Sequence, residues 1–360
     1  MADVQVKVPG KVYVAGEYAV VEADYSAIIT AVDSFVHLEL SQNDQDGGHI
    51  YSQGFTEEPV NWERVDGNIQ LAHSTEALKY VLSALQVTEE YVQALNLPAK
   101  AFNISIKSEL DHEDGHKFGL GSSGAVTVAG VQALLLFYEV EPTDLLVYKL
   151  SVLAQMKLGV NSSFGDLAAS TFTGWIRYTN FERDQVRELL EDPEKSVQEI
   201  VEATWSALDI ERLDIADTLN FLIGWTGSPA SSDNLVGEVQ ERKAQTGSQY
   251  TDFLQTSQRA VDELTEALPV ADEEKIAHSI RINREVLKQM GQQTNVVIET
   301  PQLTTLCEIA ESYGGAAKTS GAGGGDSGIA FIFEEEKVPI VEKAWQEAGI
   351  VRLPLVVYTK

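Results

Sequence analysis

The run Gly119-Leu120-Gly121-Ser122-Ser123-Gly124, preceded by Lys117, collects the residue types that handle phosphate. Glycines let a ligand approach the backbone, hydroxyls donate hydrogen bonds, and a cation balances charge. Val126 to Tyr138 follows, rich in Ala, Val and Leu, with Thr127 and Gln132 as its ordinary polar interruptions. That pattern predicts a mostly buried helix of roughly three to four turns. A helix starting at Ser122 aims its unpaired N–H groups and its positive dipole end at the glycines, an arrangement suited to an anion. It is not a Walker loop, in which the lysine follows the glycines. The spacing Gly119 to Gly124 fits a dinucleotide fingerprint, but the polar stretch Asp111 to His116 separates it from the preceding strand. A serine-capped glycine turn would look the same in isolation, so its company in the chain decides.

Two further stretches share its character. Pro9-Gly-Lys-Val-Tyr-Val-Ala-Gly-Glu-Tyr18 places Lys11 in an apolar setting, and Lys318-Thr-Ser-Gly-Ala-Gly-Gly-Gly-Asp-Ser-Gly328 is too dense in glycine for any regular element. Asp166, in Asn161-Ser-Ser-Phe-Gly-Asp166, is a candidate carboxylate; its ordinary fate would be a helix N-cap, as that of Lys11 or Lys117 would be a solvated cation. Cys307 lies at helical spacing with Leu303, Leu306 and Ala310, which makes it core packing. His112 and His116 lack a third ligand at metal spacing and are expected to be solvated.

The formal charge of −29 sets the electrostatic problem. Such a field repels nucleic acid and anionic membranes, so a phosphorylated ligand needs cations concentrated locally. Lys7, Lys11, Lys107, Lys117 and Lys318 are the candidates. No leader-like segment and no apolar run of membrane-spanning length is present, and the expectation is a cytoplasmic protein, monomer or homodimer, with small-molecule partners, no nucleic acid and no membrane.

The elements that must position these residues follow from periodicity. Alternation predicts a strand at Val4 to Val8, broken at Pro9-Gly10, further strands at Ala27 to Val32 and Val36 to Leu40 around an Asp33-Ser34 turn, a loop over Gln42 to Gly54, and a strand at Phe102 to Ile106. Apolar spacing predicts a helix from Asn68 to Leu85 and another from Thr143, its N-cap, to about Leu158. The charged stretch Phe181 to Ser196 marks a boundary, giving domains 1–188 and 189–360. Beyond it come a strand at Leu219 to Trp225, helices at about Asn234 to Glu241, Tyr250 to Leu268, Glu273 to Gln289 and Gln302 to Tyr313, then strands at Ala316 to Thr319, Ile329 to Phe333 and Val351 to Tyr358 around a helix at Val338 to Ala348. Strands with helices beside them, without strict βαβ repetition, indicate an α+β protein.

With its three glycine-containing motifs in this order, the chain resembles the GHMP kinases, the superfamily of galactokinase, homoserine kinase, mevalonate kinase and phosphomevalonate kinase. The resemblance implies an N-terminal ribosomal-protein-like domain, a C-terminal ferredoxin-like domain, and ATP with Mg²⁺ between them. Within the superfamily the motifs look most like the bacterial type of phosphomevalonate kinase, because His116-Lys117-Phe118 stand where mevalonate kinases carry proline and small residues. By resemblance, Lys11, Lys117 and Asp166 are catalytic. Gly119, Leu120, Gly121, Ser122, Ser123 and Gly124 hold the nucleotide, with Ser123 the Mg²⁺ contact. Lys11, Ser163, Ser231, Ser320, Gly321 and Ala322 line the acceptor site. Gln155 stands where mevalonate kinases place a metal-binding glutamate, and a neutral amide is a weaker Mg²⁺ ligand than a carboxylate. The implied reaction is ATP-dependent phosphorylation of phosphomevalonate to diphosphomevalonate. The rivals are a mevalonate kinase and a non-catalytic sensor on the same scaffold.

Overall fold

The computed structural model describes residues 3–73, 75–111, 118–228, 232–243 and 247–360. Lys117, Ser231, His112 and His116, singled out above, lie outside the described residues. Eight described strands form the first sheet: β1 (Val4–Ala15), β2 (Ser26–Gln42), β3 (Gly47–Ser52), β4 (Val60–Val65), β5 (Asn68–Leu71), β6 (Phe102–Ser108), β7 (Trp175–Thr179) and β8 (Asp209–Leu213). Their order is β5-β4-β3-β6-β2-β7-β8, with β1 paired along β2. Helices α1 (Lys79–Ala94), α2 (Ser122–Phe137), α3 (Asp144–Lys157) and α4 (Gly165–Phe172) pack together, and α2 also lies against β1 and β2. This explains the composition of α2, apolar on all sides because it has neighbours on all sides. Thr143 caps α3 as expected, its hydroxyl accepting from Leu146 N.

The charged stretch holds the short helix α5 (Arg183–Glu191) and is followed by α6 (Val197–Glu202); Val186, Val197, Ile200 and Val201 fix the two to the first core. Because β8 then pairs with β7, the chain stays in the first sheet through Leu213, beyond the expected boundary at 188. A second, four-stranded antiparallel sheet follows: β9 (Asn220–Trp225), β10 (Ala316–Thr319), β11 (Ser327–Ile332) and β12 (Val351–Leu353), in the order β10-β11-β9-β12. Its helices are α7 (Ser232–Arg242), α8 (Ser248–Ala267), α9 (Glu273–Thr294), α10 (Pro301–Ser312) and α11 (Val338–Glu347). Cys307 is buried in this layer, and burial pushes its thiol up to about 12, as suits core packing. No described helix is long and apolar enough to cross a membrane.

Several local expectations are corrected. Pro9-Gly10 does not end a strand; β1 runs on, and the register shift at that point leaves Asp33 and Ser34 of β2 as the extra residues of a bulge opposite it. Asp33-Ser34 is no turn, since β2 is continuous across it. Asn68–Leu71 is a strand instead of the first turn of a helix, its Ile69 and Leu71 sharing a strand face. The polar stretch from Gln42 to Gly54 contains β3, which pairs in parallel with β6. The last predicted strand stops at Leu353; Asp33 N donates to Val356 O and Tyr358 N to Ala31 O, so the tail returns to the first sheet.

Candidate active site

A cavity of about 200 Å³ opens where the two layers meet. Lys11, Tyr13, Glu17, Gly119, Leu120, Gly121, Ser122, Ser123, Gln155, Ser162, Ser163, Asp166, Gly321, Ala322 and Asp326 are among its lining residues. The three motifs, remote in sequence, therefore share one wall.

Each glycine of the 119–124 loop makes room for one charged side chain. Gly119 and Gly121 have φ of 77° and 80°, the left-handed region that glycine occupies at no steric cost. A Cβ on Gly119 would stand 2.9 Å from Asp326 Oδ2, one on Gly121 3.0 Å from Lys11 Cε, and one on Gly124 2.4 Å from Asp166 Oδ2. Gly121 is also the N-cap of α2, so the helix begins at Ser122 with its free N–H groups toward the cavity. Gly124 itself is one residue behind the lining.

Lys11 is held from two directions. Its backbone N donates to Leu120 O at 2.8 Å and its Nζ to Gly119 O at 2.9 Å. Burial lowers its pKa from the ordinary 10.5, against the opposing pull of Asp166, Asp326 and Glu17. Asp166 is not an N-cap: the cap of α4 is Phe164, at φ 57°, and Asp166 sits in the first turn. The N-termini of α2 and α4 thus both reach the cavity, bringing two positive dipole ends to it. Two helix ends and one buried ammonium answer the charge problem that −29 posed.

Behind Asp166 lies a group of neutral hydroxyls. Tyr13 OH and Ser163 Oγ are 2.8 Å apart, Tyr178 OH donates to Ser163 O at 2.7 Å, and Tyr148 OH is 2.8 Å from Tyr178 OH. Burial, then the nearby Asp166 charge, raises the Tyr13 pKa and keeps its hydroxyl protonated.

The 318–328 loop closes the opposite side. Tyr18 OH donates to Ala322 O at 2.6 Å, and Ser320 Oγ donates to Tyr13 O at 2.8 Å. Ser320 is thereby directed to the backbone of β1 and is not among the lining residues, while Gly321 and Ala322 are. Lys318 is not a cation for a ligand: it is fully buried, donating to Glu17 Oε1 and Thr319 O. Lys7 and Lys107 are exposed on the first sheet. Of the expected residues, Lys11, Gly119, Leu120, Gly121, Ser122, Ser123, Ser163, Asp166, Gly321 and Ala322 come together. Sequence reasoning missed Tyr13, Glu17, Tyr18 and Asp326 as lining residues, although all four stand inside motifs it had marked.

Among the described residues no group of three or more His, Cys, Asp or Glu side chains forms a metal cage. Gln155 is buried, its Nε2 donating to Thr127 Oγ1 at 3.3 Å. The donors at hand, the Ser123 hydroxyl and the Asp166 carboxylate, suit a Mg²⁺ that keeps phosphate oxygens and water as its other ligands.

The family described as "GHMP kinases N terminal domain" matches residues 79–174, and "GHMP kinases C terminal" matches residues 264–351. A phosphomevalonate kinase from Streptomyces sp. (strain CL190) is 37% identical over 358 residues, covering 96% of this chain and 95% of that protein. A solved Lin0012 protein from Listeria innocua superposes with a TM-score of 0.92 at 34% identity, over 99% of this chain and 98% of that one. The phosphomevalonate kinase of Streptococcus pneumoniae, solved in complex with phosphomevalonate and AMPPNP, does so with a TM-score of 0.87 at 29% identity, over 99% and 100% of the two chains.

Proposed function

The chain belongs to the GHMP kinase family, and on that premise we propose that it is a phosphomevalonate kinase, moving the γ-phosphoryl group of ATP to the phosphate of phosphomevalonate. The observation that carries the reading is the meeting of the glycine loop, Lys11 and Asp166 in one cavity at the start of α2. In this reading the N–H groups of Ser122, Ser123 and Gly124 hold the nucleotide phosphates, and the acceptor enters on the side of Ser163, Gly321 and Ala322. A phosphate oxygen of the acceptor attacks the γ-phosphorus, the bond to the β,γ-bridging oxygen breaks, and ADP leaves with that electron pair.

Catalysis of such a transfer is chiefly positioning and charge neutralisation. Lys11 supplies a fixed positive charge beside the transferred group, and Lys117 belongs to the same reading as a second cation. A phosphomonoester has its second pKa near ~6 and is mostly a dianion at neutral pH, so its attacking oxygen has no proton to lose. Asp166 then serves to orient Lys11 rather than to abstract a proton. Mg²⁺ entering with the nucleotide would neutralise phosphate charge, with Ser123 and Asp166 the residues to hold it. A cytoplasmic location belongs to the same reading.

A coupled ADP-release assay with phosphomevalonate, mevalonate and galactose tests the assignment. ADP release that depends on phosphomevalonate is the expected result. Release with mevalonate at comparable kcat/KM would make the protein a mevalonate kinase. Binding of ATP and phosphomevalonate without turnover would make it a sensor.

A further inference from the structure

Two consecutive carbonyls at the acceptor side of the cavity accept hydrogen bonds from side chains that do not line it. Arg183, the first residue of α5, donates through Nη1 to Asn161 Oδ1 and, at 3.3 Å, to Ser162 O. Tyr178, on β7, donates to Ser163 O at 2.7 Å. A phenol has one proton, and the other acceptor within reach, Asn180 Oδ1 at 2.9 Å, already takes the Phe181 N–H. Tyr148 OH, 2.8 Å away, can donate in turn to the Tyr178 oxygen.

The segment these groups grip is unusual in its backbone. Phe164 is at φ 57°, a conformation that a bulky side chain keeps only where its surroundings enforce it. Its ring is fully buried and stacked on Phe181, with centroids 5.8 Å apart. The next two residues start α4 and present Asp166 to the cavity. Any rotation of the Ser162 or Ser163 peptide planes would carry the serine hydroxyls and the Asp166 carboxylate with it.

We propose that Tyr178 and Arg183 are positioning residues that hold the Asn161–Phe164 segment, and through it Ser162, Ser163 and Asp166, in register with the acceptor. The inference rests on the reading that Asp166 faces the transferred group. Both tethers are placed so that their loss spares the scaffold. The backbone around Tyr178 is fixed by pairing with β2 and β8 whatever its hydroxyl does, and Arg183 is half-buried at the start of a short helix. Tyr148 provides an internal control, since its hydroxyl belongs to the same group and bonds to the Tyr178 hydroxyl instead of to a carbonyl of the gripped segment.

Steady-state kinetics of Y178F, R183Q, R183K, Y148F and D166N decide the matter. Y178F and R183Q are each expected to lose tenfold or more in kcat with the KM for ATP within twofold of the parent. R183K, which still donates to a carbonyl, is expected to recover part of that loss, and Y148F to stay within twofold throughout. Should Y178F fail to fold, the R183Q and R183K pair carries the same test. The inference is overturned if D166N is impaired while Y178F and R183Q remain within twofold, if the KM for ATP rises as far as kcat falls, or if Y148F is impaired equally. A fully active D166N would instead overturn the reading of Asp166 on which the inference depends.

Discussion

The carboxylate of Asp166 occupies the space that a side chain on Gly124 would need: an added Cβ would stand 2.4 Å from Oδ2. Gly124 lies inside α2 and is not among the residues with positive φ, so its backbone tolerates alanine. In an ordinary helix the change would gain about 0.5–1 kcal/mol. Gly124→Ala is therefore expected to fold with near-parent stability while displacing Asp166 and losing tenfold or more in kcat. Thermal melting alongside ADP release checks both halves.

Lys11 links rate and stability through its lowered pKa. Because the folded value lies below 10.5, the unfolded chain binds more protons in the window between the two, and stability rises with pH there. At neutral pH the buried ammonium costs stability, and Lys11→Met should melt no lower than the parent. A charge-assisted hydrogen bond contributes about 1.5–3 kcal/mol, so the same change should slow transfer roughly tenfold to a hundredfold. The basic limb of kcat/KM, which reports the free enzyme, should fall below pH 10.5 in the parent. A parent limb at or above that pH, or near-parent activity of Lys11→Met, would contradict this account.

Asp166→Asn distinguishes an organiser from a base. A general base contributes typically ~10²–10⁴-fold to transfer from a hydroxyl acceptor. With phosphomevalonate the acidic limb reports substrate ionisation near ~6, and the asparagine variant should retain it with a loss well under ~10³-fold. Disappearance of that limb, together with a loss of ~10³-fold or more, would restore Asp166 as the base.

The pair Glu17–Lys318 joins the loop after β1 to β10 with both side chains buried, and Glu17 Oε2 has no hydrogen-bond partner. Removing the cation strands the carboxylate, a loss of about 3–5 kcal/mol for a buried pair. Lys318→Met should lower Tm sharply, and adding Glu17→Gln should recover part of the drop. Equal melting of the single and double variants would show that the pair is not coupled.

The candidate site was legible because its parts are backbone statements written in residue type. Glycines at 119, 121 and 124 can be read as close approach, and the apolar run behind them as a buried helix, before any contact is known. What remained hidden was contributed by context. Nothing in the local sequence says that Lys318 turns inward to Glu17, or that Ser320 directs its hydroxyl to Tyr13 O, because both outcomes depend on β10 meeting the loop after β1. The strand β3 escaped for a similar reason: Gly47 and Gly48 fit a strand only through the neighbours they pair with. Tyr178 and Arg183 carry no motif at all, and the role proposed for them rests on their meeting carbonyls 15 and 21 residues earlier.

The return of the tail to β2 has a mechanical meaning. The chain leaves the first sheet after Leu213, and its tail pairs with that sheet again where Asp33 and Ala31 bond to the backbone of Val356 and Tyr358. Cutting the chain after Leu353 would remove that second backbone tie, and leave the layers joined by the crossing after Leu213 and by side-chain contacts such as Glu17–Lys318 and Ser320 with Tyr13 O.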